Sequence, residues 1–118
     1  MMNNPPTTTP GRWRYNLIDQ VVTLGTGQEW HSHPIYLQQG PRYEKAWIGT
    51  VRAYVGVWAE AEYQRLRARG GAFPFVFGTD AFSGVRTFVT QVGGPFRLVV
   101  RVGVFTPPGQ VRAGVYRL

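Results

Sequence analysis

The stretch YEKAWIGTVRAYVGVWAEAEYQRLRARGG (43–71) decides the fold, because a strand pattern changes in it directly into a helix pattern. Within residues 43–57, one set of alternate positions is apolar: Trp47, Val51, Ala53, Val55 and Val57. The other set mixes polar and apolar side chains. A two-residue period with one apolar face is typical of a half-buried β-strand. We therefore predict a strand over 43–57, the longest in the chain.

The residues that follow predict a single amphipathic helix. Ala59, Tyr63 and Leu66 recur at i, i+4 and i+7, so they share one stripe. Acidic residues lie in the first turn and arginines in the last, as the helix dipole favours. Gly70-Gly71 supplies a C-terminal stop. We expect this helix to lie on the sheet and to cover an edge or end that would otherwise invite pairing.

The rest of the chain alternates apolar runs with Gly- and Pro-rich turns, which favours a β-rich fold. We predict a loop at 25–34 and a turn at 78–84. The further predicted strands are 12–18 and 21–24, which form one strand or a pair, and then 35–37, 73–77, 85–92 and 96–105. In FPFVF (73–77) the three phenylalanines alternate, so we expect them to share one face. We predict that 85–92 and 96–105 form a hairpin around Gly93-Gly94-Pro95.

These elements predict a mainly β (α+β) fold: a two-sheet β-sandwich or split barrel with a single amphipathic helix packed on it. A chain of 118 residues suits one domain. The predicted organisation is an extended N-terminal arm over 1–11, a β-sandwich domain over 12–105, and a C-terminal arm or edge strand over 106–118. The first segment is polar and Pro-rich, so it buries too little apolar surface to fold alone.

Charge and composition restrict the partners and the chemistry. The chain carries 13 basic and 6 acidic residues, a formal charge of +7, and Lys45 is the only lysine. Such a balance suits nucleic acid or an acidic protein neighbour. The chain has no cysteine, which excludes disulfides, thiolate zinc sites and a thiol nucleophile. No run approaches 18 apolar residues and MMNNPPTTTPGR lacks a signal-peptide core, so we expect no membrane partner.

Candidates for catalysis or metal binding are few. His31 and His33 lie in a loop with Glu29 nearby, but two imidazoles need a third ligand to form a zinc site. A polar loop explains them more simply. The Gly25-Thr26-Gly27 turn lacks the third glycine and the following helix of a dinucleotide fingerprint. We expect no catalytic residues, no cofactor and no metal.

Two kinds of binding surface fit the remaining pattern. A single-strand nucleic-acid platform would use alternating arginines with aromatic side chains between them. Its candidate residues are Arg52, Arg86, Arg97 and Arg101, with Tyr54, Phe88 or Phe105. A protein interface is the other reading, because four tryptophans and six tyrosines accompany the arginines. The predicted interface anchors are Trp13, Trp30, Tyr36 and Tyr116, with Arg12, Arg14, Arg42 and Arg117 pairing with acidic groups of a neighbour.

The segment LGTGQEW…RYEKAWIGTVRAYVGVWAEAEYQRLRARGGAFPFVF resembles the small tail-tip proteins of long-tailed bacteriophages. These are the lambda-type minor tail protein M and the N-terminal domain of distal tail proteins. Gly25 and Gly27 match the family's Gly-x-Gly loop, 46–57 its long strand, Leu66 and Gly70-Gly71 its helix end, and 73–77 its aromatic strand. The resemblance covers roughly residues 17–105.

This resemblance implies a structural subunit that forms rings in the tail of a virion. Such a subunit is made in the cytoplasm of the bacterial host and binds copies of itself and neighbouring tail proteins. We expect ring closure by heterologous contacts. A capsid decoration or head–tail connector protein and a basic single-strand nucleic-acid-binding module remain the alternatives.

Overall fold

The computed structural model describes residues 15–118, which form seven strands and one helix. These elements are β1 (Tyr15–Leu24), β2 (Glu29–His31), β3 (Ile35–Leu37), β4 (Tyr43–Ala59), α1 (Glu60–Arg69), β5 (Ala81–Phe88), β6 (Gly94–Arg101) and β7 (Gly109–Arg117). The predicted fold class is confirmed: the described residues are mainly β, with one helix packed on a nearly closed, barrel-like sheet. The predicted arm at 1–11 lies outside the described residues.

The long strand β4 belongs to two sheets and joins them. Its first half pairs with β7 on one edge and with β5 on the other. Its second half, residues 54–59, pairs with β6. The first sheet continues from β7 to β1, and the second continues from β6 to β2 and β3, all antiparallel. The result is the split-barrel form of the predicted architecture.

A sharp bend lets β4 serve both sheets. Its register with β5 breaks between Ile48 and Ala53. At Gly49 a Cβ would lie 2.9 Å from a backbone carbonyl oxygen, so the bend requires a residue without a side chain. Lys45 Nζ donates to the carbonyl of Val55 at 2.9 Å. Ten residues of straight strand would span about 33 Å, so this contact exists only because the strand folds back.

The main core lies between the two sheets. Its buried side chains come from five of the seven strands, and they include Ile18, Leu37, Trp47, Val55, Leu98, Val100, Val111 and Val115. The apolar face predicted for β4 is confirmed, because Val51 and Ala53 are also buried there.

A second apolar cluster lies under the helix. Tyr63 and Leu66 pack with Phe73 against Val99, which points to the opposite side of β6 from the main core. The predicted helix stripe is therefore confirmed for Tyr63 and Leu66. Ala59 precedes the helix as its N-cap residue.

The predicted aromatic strand at 73–77 is wrong. This segment has no strand partner. Phe73 and Phe75 both pack on Trp58, but Phe77 does not share their burial. Phe73 is buried, Phe75 is half-buried and Phe77 is 97% exposed. The N–H of Phe73 donates to a carboxylate oxygen of Glu29 at 2.7 Å, so side-chain contacts hold the segment in place of a β-ladder.

The predicted hairpin between 85–92 and 96–105 is also wrong. β5 pairs with the first half of β4 and β6 with the second half, so the two strands share a partner without pairing with each other. The strands also differ from the predicted bounds, because β5 begins four residues earlier and ends at Phe88, and β6 ends at Arg101. A turn follows β6 and leaves Phe105 outside the sheet.

The C-terminal segment is neither an arm nor an edge strand. β7 lies between β1 and β4, with hydrogen-bonded neighbours on both sides. The domain boundary predicted at 105 is therefore wrong, since the β domain includes β7. The possible strand pair before residue 25 is one strand, β1, with a bulge between Asn16 and Ile18.

Candidate functional site

A polar network centred on His31 joins β2 to the helix. One ring nitrogen, Nδ1, lies 2.9 Å from the hydroxyl of Tyr63, and the other, Nε2, lies 3.0 Å from a carboxylate oxygen of Glu29. Arg67 donates to the same hydroxyl at 3.3 Å. The other carboxylate oxygen of Glu29 accepts the N–H of Phe73. Both ring nitrogens of His31 are therefore engaged within the fold.

This arrangement has the groups of a proton relay. A carboxylate, an imidazole and a phenol in sequence can transfer a proton. Tyr63 is fully buried, whereas the His31 side chain is 24% exposed. Within residues 15–118 no group of three or more His, Cys, Asp or Glu side chains is placed to hold a metal ion. The network connects α1 and the segment after it to the barrel.

Two of the arginines suggested for a nucleic-acid platform, Arg97 and Arg101, are held by contacts within the fold. Arg97 makes a bidentate pair with Glu60, with Nε–Oε1 at 2.8 Å and Nη2–Oε2 at 3.2 Å. This pair lowers the pKa of Glu60, chiefly through the hydrogen bonds from Arg97. The Arg101 guanidinium lies against the rings of Tyr54 and Phe75, at 4.8 and 5.2 Å from their centroids. Both arginines are half-buried, and their guanidinium groups contact other side chains of the fold.

The acidic residues are largely used within the chain. All six lie in the described part: Asp19, Glu29, Glu44, Glu60, Glu62 and Asp80. Four of them bind a basic side chain: Asp19 with Arg112, Glu29 with His31, Glu60 with Arg97, and Glu62 with Arg65. Glu44 is buried. The surface is therefore dominated by positive charge that the chain's own carboxylates do not balance.

One end of the barrel exposes large apolar side chains. Phe77 is 97% and Phe105 98% exposed, and both line one pocket of about 410 Å³ together with Val104. Phe105 also lines a second pocket of about 260 Å³ with Phe82 and Pro107. We call these five residues the aromatic patch. Large apolar side chains that lie together and are exposed to water are typical of an interaction site.

A groove of about 430 Å³ runs between β4 and the segment after the helix. Lys45 and Arg86 line it together with apolar side chains. The pKa of Lys45 is lowered, first by burial and then by the positive charge of Arg86. The Lys45 ammonium also lies 5.8 Å from the ring centroid of Trp47. We call this the β4 groove, and none of its lining residues belongs to the aromatic patch.

The predicted interface anchors are scattered. Tyr36 on β3 is exposed, and Trp30 on β2 is half-buried against the main core. Tyr116 is fully buried, because β7 is an interior strand, so it is not available to a neighbour and this expectation is corrected. Arg42 and Arg117 are exposed. Trp13, Arg12 and Arg14 lie outside the described residues.

Comparison with known proteins adds no relative. No family model, curated protein or solved structure matches this chain. Within residues 15–118 no helix has the length and apolar content needed to cross a bilayer.

Proposed function

We propose that the chain is a structural, non-catalytic subunit that acts through protein–protein interfaces and assembles into a ring at the tip of a phage or phage-derived tail. The aromatic patch carries this proposal. A domain of this size buries most of its large apolar side chains, yet here Phe77 and Phe105 stand almost wholly in water at one end. Phenylalanines in this state favour contact with another protein over catalysis.

The position of the patch suits ring closure. Its residues come from turns and the start of β5 and do not form a flat sheet face. A ring needs a heterologous contact, in which one surface of a subunit meets a different surface of the next. Projecting phenylalanine side chains that enter a recess on a neighbouring subunit provide such a contact.

The resemblance to tail-tip proteins supports the more specific part of the proposal. The Gly25–Gly27 loop is a turn in which Gly27 has a φ of 73°, and the long strand and the helix follow it in the expected order. The aromatic strand and the closing hairpin of that family differ here. The support therefore comes from the loop, β4 and α1.

Light scattering after size exclusion tests the assembly. We expect the wild-type chain to form a discrete oligomer at micromolar concentration. The double variant Phe77→Ser/Phe105→Ser should be monomeric, because it removes the two phenyl side chains that a neighbouring subunit would cover. Val89→Ser/Val92→Ser is the matched control: both valines are about half exposed and lie outside the patch, so this variant should assemble normally.

A strict monomer at all concentrations, or a phenylalanine variant that assembles like the wild type, would contradict the ring proposal. Location separates the remaining roles. In particles that carry this chain, a gold-labelled antibody should mark the tail tip. Label on the head or its junction with the tail would instead favour a capsid decoration or head–tail connector protein.

A further inference from the structure

The β4 groove has one wall formed by a strand edge without a strand partner. Residues 54–59 of β4 pair with β6 on one side. On the other side, the pairing with β5 ends at Ala53, opposite Ala81. Among residues 15–118, therefore, no strand covers the outer edge of Val55–Trp58. An edge without a strand partner presents backbone N–H and C=O groups that an extended peptide can pair with. Here the carbonyl of Val55 already accepts from Lys45 Nζ, so the other groups of the edge are the ones to pair.

The side chains of the groove leave room for such a peptide. Trp58 lies over Gly56, where a Cβ would overlap the indole, so the indole ring lies flat on the strand in place of a side chain. The facing wall consists of Pro74, Phe75 and Val76. Side chains of an added strand alternate between two faces, so every second one would meet this apolar surface.

The charge of the groove is positive and has no carboxylate partner. Lys45 and Arg86 both line it, and no acidic side chain does. The Lys45 ammonium has three N–H donors, and one of them binds the carbonyl of Val55. Arg86 is exposed. An incoming carboxylate would bind both cations and relieve their mutual repulsion.

We propose that the β4 groove binds an extended acidic segment of a different protein, which adds as a strand along Val55–Trp58 with its carboxylates on Lys45 and Arg86. This inference does not depend on the ring proposal, because the groove and the aromatic patch share no residue.

Charge argues against occupants from the chain itself. Residues 1–14 contain two arginines and no acidic residue, so this segment would be repelled. A second copy offers few free carboxylates, because four of the six already bind basic side chains. Nucleic acid supplies negative charge but no amide groups to pair with a strand edge, and two cations make only a weak phosphate site.

Fluorescence anisotropy with a labelled peptide tests the proposal. The probe is a peptide of about eight residues that alternates glutamate with valine. We expect it to bind the wild-type protein at low salt, and the same peptide with lysine in place of glutamate not to bind. A third peptide, methylated on alternate backbone nitrogens, keeps the charge but cannot pair with the strand. It should bind at least about tenfold more weakly than the first.

Charge-matched variants place the site. Lys45→Gln/Arg86→Gln should weaken binding of the acidic peptide by at least about tenfold. Arg42→Gln/Arg69→Gln removes the same charge from exposed positions outside the groove and should bind like the wild type. Arg86 is exposed, so Arg86→Gln alone keeps the test valid if the Lys45 change unfolds the protein. Phe77→Ser/Phe105→Ser should bind the peptide normally, which separates failure here from failure of the ring proposal.

Three results would overturn the proposal. The first is no binding of the acidic peptide at millimolar concentration. The second is equal binding of the backbone-methylated peptide, which would reduce the effect to non-specific charge attraction. The third is tighter binding of a single-stranded oligonucleotide that competes for Lys45 and Arg86, which would make the groove a nucleic-acid site.

Discussion

At the scale of single residues, the fold depends on a buried polar side chain that binds the backbone. Ser32 follows β2 and is almost fully buried. Its backbone N–H donates to the carbonyl of Leu98 at 2.9 Å, and its hydroxyl oxygen accepts the N–H of Leu98 at 2.9 Å. The same hydroxyl donates to the carbonyl of His33 at 2.7 Å. A side chain thus continues the ladder between β2 and β3, where no strand residue is present.

The chain has only two serines, and they form a matched pair for a test. Ser32→Ala should lower the free energy of unfolding by about 1–3 kcal/mol, because it leaves the buried N–H of Leu98 without an acceptor. Ser83 is exposed on β5, so Ser83→Ala should change stability by less than about 0.5 kcal/mol. Urea unfolding followed by circular dichroism measures both. Equal effects of the two substitutions would show that the Ser32 hydroxyl has no special role.

Sequence patterns predicted the burial of some side chains correctly and that of others wrongly, for a physical reason. Tyr63 and Leu66 were predictable, because a helix stripe fixes which side chains face the sheet. Tyr116 was not, because its burial depends on strands far away in sequence that flank β7. Phe77 and Phe105 each directly precede turn-forming residues, in FGTD and VFTPPG. That signal can identify exposed aromatics, but the alternating pattern before each one favours a strand.

At the scale of elements, β4 and α1 were predictable and the pairing of β5 was not. The strand predicted at 43–57 extends to Ala59, and the helix ends at the predicted glycines. A period of two identifies a strand and its buried face, but it carries no information about the partner strand. The bend in β4 was hidden because Gly49 fits an ordinary strand pattern equally well. A bent β4 accepts β5 and β6 at separate places, which excludes the hairpin.

The contact between β4 and β5 includes a tryptophan packed on a glycine. Trp47 lies directly opposite Gly84, and a Cβ at Gly84 would overlap its indole ring. The indole N–H also donates to the carbonyl of Ala81 at 3.2 Å, so the ring has little freedom to move. The absence of a side chain at Gly84 is therefore what allows β5 to lie beside β4.

Gly84→Ala should lower the free energy of unfolding by about 1–3 kcal/mol, because the buried indole must shift. The near-ultraviolet circular dichroism of the tryptophans should change as well. Gly93 is the control: a Cβ there has its nearest neighbours at 3.6 Å, an ordinary contact. Gly93→Ala should therefore change stability by less than about 0.5 kcal/mol. If both substitutions leave stability and the tryptophan spectrum unchanged, the packing of Trp47 on Gly84 does not hold β5 in place.

At the scale of the whole molecule, the positive charge of the chain affects the two proposed surfaces differently. The formal charge of +7 makes copies of the chain repel one another. A ring contact must overcome this repulsion, and the aromatic patch supplies apolar area for it. The β4 groove instead gains from the charge, since an acidic partner is attracted. The sequence predicted the charge but not this division, because it depends on which carboxylates are already paired within the fold.

Salt should therefore move the two interactions in opposite directions. Raising the ionic strength from about 0.1 M to about 1 M shortens the screening length from about 10 Å to about 3 Å. Self-association through the patch should tighten, since repulsion is screened while apolar burial persists. Binding of the acidic peptide should weaken, since the attraction of Lys45 and Arg86 is screened. Sedimentation velocity and anisotropy at both salt concentrations measure the pair. Self-association that dissolves at high salt would show that ionic contacts hold the copies together, and the aromatic patch would lose its assigned role.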